Sequence, residues 1–117
     1  MIMLIEDDDD TREITVGFIR SLGHQVADFA NAEAASAALE SLPIEVLVTD
    51  LGLPGTQGEV FAAEACSLRS GLRIVFLTGS VSIPDGIFDT ASPILLRKPY
   101  DLDALEIALG RGKLVSG

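Results

Sequence analysis

Apolar residues gather into five short runs along the chain, Ile2–Ile5, Val26–Phe29, Val46–Thr49, Arg73–Leu77 and Ile94–Leu96. Each is the length of a strand, and the segments between them change to a helical period. Ile14, Phe18 and Leu22 recur at helical spacing after the possible N-caps Asp9 and Asp10, and Gly23 stands where a helix would stop. Asn31 can cap an Ala-rich segment from Ala32 to Leu42 that ends at Pro43, and Gly58 to Ser70 forms a third helix closed by Gly71. Asp101 can cap a last helix carrying Leu102, Leu105 and Leu109. Such alternation predicts the α/β class, a doubly wound parallel sheet with helices on both faces. The segment Gly79–Pro93 breaks the pattern. Pro84, Gly86 and Pro93 interrupt it, so any helix there is short or irregular.

Composition narrows this picture. With 117 residues, 48% of them hydrophobic, the chain has material for one core, so residues 1–117 are expected to form a single domain with 111–117 as a tail. Eight Lys and Arg stand against eighteen Asp and Glu, a formal net charge of -10. That leaves no basic stripe for a nucleic-acid backbone, and direct nucleic-acid binding is not expected. Cys66 is the single cysteine, which excludes an internal disulfide and a thiolate metal cage. His24, after Gly23, is expected at the surface without a phosphotransfer role. The apolar opening Met1–Ile5 runs at once into Glu6 and Asp7, with no basic flank and no small-residue cleavage site. Neither signal peptide nor membrane span is expected, and the cytoplasm is the expected location.

The candidate chemistry lies at the strand ends. In an open doubly wound sheet, ligands bind outside the carboxyl ends of the strands, where the strand order reverses. Here the first run leads into Glu6 and Asp7, the third into Asp50, the fourth into Thr78, and the fifth into Lys98 and Pro99. The acidic run Glu6–Asp10 taken alone reads as a solvated loop feeding a helix N-terminus. Together with Asp50 it becomes a crowd of carboxylates that repel one another unless a cation or protons intervene. Mg²⁺, a hard cation with oxygen ligands, is the simplest remedy. An EF-hand Ca²⁺ loop fits poorly, because Thr11 stands where its sharp turn needs Gly.

Four segments then carry a resemblance that spans essentially the whole chain. They are Met3-Leu4-Ile5-Glu6-Asp7-Asp8, Val48-Thr49-Asp50-Leu51-Gly52-Leu53-Pro54-Gly55 followed by Gly58, Phe76-Leu77-Thr78-Gly79, and Leu96-Arg97-Lys98-Pro99-Tyr100. In this order they resemble the receiver domain of two-component response regulators. The resemblance implies a five-stranded parallel sheet in the flavodoxin-like order 2-1-3-4-5 and phosphorylation of Asp50 by a histidine kinase or histidine phosphotransfer protein. It further implies Mg²⁺ held by Asp7, Asp50 and the backbone carbonyl of Gly52, with Glu6 acting directly or through water. Thr78 would bond a phosphoryl oxygen, and Lys98 would pair with the same oxygens, often across a cis peptide bond to Pro99. A receiver is not an enzyme in the usual sense. It promotes its own phosphorylation and slow dephosphorylation and signals through a surface to a downstream protein, here unknown.

Two departures are visible. Leu95 stands where many receivers carry the Tyr or Phe that changes rotamer on activation, and the stretch from Thr78 to Lys98 is slightly short. Tyr100 either packs against the last helix or contributes to a partner surface. A haloacid-dehalogenase-type phosphohydrolase would need an acid at Gly52, and its nucleophile would come from the first strand. A degenerate receiver that binds partners without phosphorylation is the other alternative, opposed by the presence of Asp50, Thr78 and Lys98.

Overall fold

A computed structural model describes residues 1–51, 55, 57–79 and 94–110. Five parallel strands, β1 (Ile2–Ile5), β2 (Val26–Phe29), β3 (Val46–Asp50), β4 (Arg73–Thr78) and β5 (Ile94–Arg97), lie in the order β2-β1-β3-β4-β5. Among the described residues there are four helices, α1 (Asp9–Ser21), α2 (Ala32–Ser41), α3 (Gly58–Leu68) and α4 (Leu102–Ala108). The sequence expectations for Gly52, for the segment Gly79–Pro93 from Ser80 onward, and for the tail at 111–117 lie outside the described residues.

The period-2 alternation of the strands divides the core in two. Met3 and Ile5 of β1 and Leu47 of β3 face Ala35 and Leu39 of α2 and Phe61, Ala62 and Ala65 of α3. Ile2, Leu4 and Val48 face Val16 and Ile19 of α1 and Leu105 and Ala108 of α4. Every residue of β1 is therefore buried, which explains why it reads as an unbroken apolar run. Cys66 packs at the margin of the first cluster, half-buried.

The helices correct the sequence expectations at two boundaries and on one face. Asp8, rather than Asp9 or Asp10, caps α1, because its side chain accepts the amide of Thr11 at 2.8 Å. Asp9 and Asp10 fall in the first turn, where negative charge meets the positive end of the helix dipole. The buried side of α1 is Thr15, Val16 and Ile19, whereas Ile14 is 57% exposed and Phe18 and Leu22 only flank the core. Both apolar rows have helical spacing, and the one that faces the sheet is decided by packing. Helix α3 stops at Leu68, short of Ser70. Arg69 leaves the helix there and gives its guanidinium to the carbonyls of Leu39, Leu42 and Ile44, the carbonyl end of α2 and its exit.

Gly58 sits where the start of α3 meets the end of β3, and a Cβ added there would overlap the Asp50 carbonyl oxygen and press on the Thr49 hydroxyl. Gly58→Ala is expected to cost about 1–3 kcal/mol, the usual range for overpacking a tight contact. Urea unfolding checks this, and a variant as stable as the parent would show that the contact yields freely.

Candidate functional site

Strand order reverses at β1, whose two neighbours β2 and β3 are reached by connections on opposite faces of the sheet. The carboxyl ends of β1, β3, β4 and β5 open onto that point. Glu6 follows β1 and extends its pairing, donating its amide to the carbonyl of Phe29 at 3.0 Å. This carries its side chain into the interior, where it is 0% exposed, while Asp7 turns outward to solvent. Asp50 is the last residue of β3 and Thr78 the last of β4, both buried. Lys98 leaves β5 with its amide bonded to the carbonyl of Thr78 at 2.8 Å, and the Lys98–Pro99 peptide is cis.

These side chains meet. The Lys98 ammonium lies 2.7 Å from Glu6 Oε1 and 2.7 Å from Asp50 Oδ1. Glu6 Oε2 accepts the amide of Asp8 at 3.2 Å, so both oxygens of this buried acid are occupied. Carboxylate oxygens of Glu6, Asp7 and Asp50 all lie within 4.8 Å of one another. Asp7, Asp50, Leu51, Thr78, Gly79 and Lys98 help line a shallow cavity of about 240 Å³ open to solvent.

Three acids against one lysine leave a surplus of negative charge, and protonation settles it unequally. Burial, reinforced by the Glu6 carboxylate, pushes the Asp50 carboxyl up to about 8 despite the pull of Lys98. Burial opposes ionisation of Glu6 as well, but the bonds from Asp50, Lys98 and the Asp8 amide outweigh it and hold Glu6 below the usual range. Lys98 loses hydration, yet its bonds to Asp50 and Glu6 prevail and raise its affinity for the proton. Without a cation, the Asp50 carboxyl therefore keeps its proton to higher pH than the Glu6 carboxyl does.

The rest of the acidic run has other work. Asp8 caps α1, and Asp9 pairs with Arg12 at 2.6 Å. Arg12 also donates to the Glu6 carbonyl at 2.9 Å and reaches Asp28 of β2 at 3.4 Å, pinning the loop that carries both site acids. Sequence reasoning missed Arg12, although its spacing from Asp9 is that of an i,i+3 helix pair. It also missed Thr15, whose hydroxyl lies 2.6 Å from that of Tyr100. Tyr100 thereby packs toward α1 rather than standing free at the surface. Leu95 is half-buried beside Phe76 in the sheet, with no aromatic ring in its place.

A buried acid pair, a lysine and a threonine thus converge at the switch point of a doubly wound parallel α/β sheet. Residues 2–109 match the response regulator receiver domain, and the chain belongs to that family. It is 32% identical over 104 residues to the response regulator receiver protein CpdR of Brucella abortus (strain 2308), covering 86% of each chain. Two further relatives, the C4-dicarboxylate transport transcriptional regulatory protein DctD of Rhizobium meliloti (strain 1021) and the transcriptional regulatory protein GlrR of Escherichia coli (strain K12), are longer, and the chain spans 23% and 25% of them. Among solved structures it is similar to a CheY-like receiver domain protein from Methanospirillum hungatei JF-1. The TM-score is 0.87 at 23% identity, covering 98% of this chain and 93% of the other. Response regulator TrrA from Thermotoga maritima, in complex with Mg(2+)-BeF, gives a TM-score of 0.84 at 20% identity, covering 94% of this chain and 96% of TrrA. Receiver domains are phosphoacceptor signalling modules whose partners are histidine kinases or phosphotransfer proteins. No helix among the described residues is long and apolar enough to cross a membrane.

Proposed function

We propose that Asp50 is the phosphoacceptor of this receiver, taking its phosphoryl group from a histidine kinase or histidine phosphotransfer protein in the cytoplasm and passing the signal to a downstream protein. The observation that carries the reading is the contact of Asp50 with Lys98 at 2.7 Å, at the strand end shared with Glu6, Asp7 and Thr78. An Asp50 carboxylate oxygen attacks phosphorus; the P–N bond of the donor phosphohistidine breaks, and its electron pair leaves with the imidazole, which takes up a proton. Negative charge spreads over the three remaining phosphoryl oxygens in the transition state. Lys98, already at the Asp50 carboxyl, and Thr78, in the cavity lining, would stabilise it.

The donor set fits Mg²⁺, because it consists of hard carboxylate oxygens within a few ångströms of one another. Asp7 and Asp50 would hold the ion directly, with the carbonyl of Gly52. Glu6, with one oxygen on Lys98 and the other on the Asp8 amide, would act through water. Bound there, the cation supplies charge neutralisation on the phosphoryl oxygens. Incubation with acetyl phosphate and Mg²⁺, followed by intact mass and borohydride trapping, is expected to place a single acyl phosphate on Asp50. Trapping at another residue, or no modification, would remove the reading.

A further inference from the structure

Thr15 is completely buried on the sheet-facing side of α1, whose other buried positions, Val16 and Ile19, are apolar. A hydroxyl in such a place is costly unless it is bonded, and here it lies 2.6 Å from the hydroxyl of Tyr100. Tyr100 follows Pro99 in the short loop that carries Lys98. One end of that loop is fixed by the bond from the Lys98 amide to Thr78, and the other by Asp101, which caps α4 through the amide of Ala104 at 2.8 Å. Its flank toward α1 is not filled. An apolar groove of about 330 Å³ runs there, lined by Ile14, Phe18, Pro99 and Tyr100 among others. Without a tie across it, the loop has room to move sideways.

From this arrangement, and resting on the proposal that Asp50 accepts the phosphoryl group, we infer that the Thr15–Tyr100 hydroxyl pair is a positioning device for Lys98. It sets the distance between the Lys98 loop and α1, and thereby the point at which the ammonium meets Asp50. Lysine needs such help because its charge rides on a flexible four-carbon stem, so its placement is inherited from the backbone that bears it. An apolar pair would fill the same space at lower desolvation cost. What the hydroxyls add is a fixed geometry.

The test uses the whole chain with acetyl phosphate and Mg²⁺. Tyr100→Phe and Thr15→Val are each expected to slow phosphorylation at saturating donor about three- to tenfold, the scale on which small misplacements of a charged group act. The Mg²⁺ dissociation constant, set by acids on other strands, stays within about twofold of the parent. The double variant is expected to be no slower than either single one, and Thr15→Ser, which keeps the hydroxyl, to retain the parental rate. In the protein without metal or donor, exchange of the Lys98 ammonium protons, followed by nuclear magnetic resonance, should quicken in Tyr100→Phe. Unchanged rate and ammonium exchange in both single variants would overturn the inference, as would additive losses in the double variant or a Mg²⁺ affinity that falls in step with the rate. A parent protein that accepts no phosphoryl group would sink the Asp50 reading instead, and the ammonium exchange would still decide this one.

Discussion

Asp50→Asn is expected to abolish acyl-phosphate formation and, in metal-free solution at pH 7, to make the protein more stable by about 2–4 kcal/mol, given 1.36 kcal/mol for each unit of pKa displacement. Loss of labelling follows from removing the attacking oxygen. The gain in stability follows from the charge surplus. The Asp50 carboxyl moves from an ordinary 3.8 when unfolded to about 8 in the fold, so the folded state holds the proton more tightly. Its contribution is fully present below pH 3.8 and is lost as pH rises through about 8. Stability of the metal-free parent therefore falls across that window. Glu6, held below its ordinary 4.5, contributes in the opposite sense, and its share is lost only as pH drops below that value. An asparagine can accept from Lys98 with its oxygen and donate to Glu6 with its nitrogen, keeping the bonds without the titration. Thermal melts of parent and variant in chelator from pH 5 to 9 should diverge with rising pH and draw together when Mg²⁺ is added. Parallel curves would show that Asp50 titrates normally.

Lys98→Met is expected to act in the other direction on stability and in the same direction on activity. Glu6 is completely buried, and the ammonium at 2.7 Å is its ionic partner. Breaking a buried pair by removing one member costs about 3–5 kcal/mol, because the remaining charge is left in a poor medium. Glu6 escapes by taking up a proton, so the deficit should shrink as pH is lowered toward 5. Phosphorylation by acetyl phosphate should fall roughly 10²- to 10³-fold, the scale of losing one preorganised charge from a transition state. Denaturant unfolding at two pH values and a labelling time course separate these effects. A stable variant with a normal rate would mean that Lys98 is merely a surface cation.

Much of this was legible in the chain because strand-end positions reveal themselves by pattern. β1 is buried on both sides and flanked at once by Glu6 and Asp7, so its end could be placed to the residue, whereas β3 runs one residue past the expected Val46–Thr49 and takes in Asp50 itself. The order β2-β1-β3-β4-β5 followed from the family resemblance and not from any property of single strands. What sequence could not settle was the choice between equivalent patterns. Ile14–Phe18 and Val16–Ile19 both run along α1, and only contact with the sheet selects the second. Asp8, Asp9 and Asp10 are all chemically fit to cap a helix, and the winner is decided by where the strand before them ends. The Thr15–Tyr100 and Arg12–Glu6 bonds join residues whose proximity depends on how α1 lies against the sheet.

The contact at Gly58 has a mechanical meaning. With no room for even a methyl group between the Asp50 backbone and the first turn of α3, strand end and helix have no compliant layer between them. Helix α3 has 11 residues and so is about 16 Å long, and its far end is bolted by Arg69 to the carbonyls that close α2. A displacement of the Asp50 backbone is therefore met directly by the first turn of α3, whose other end is tied through the Arg69 side chain to the carbonyls that close α2.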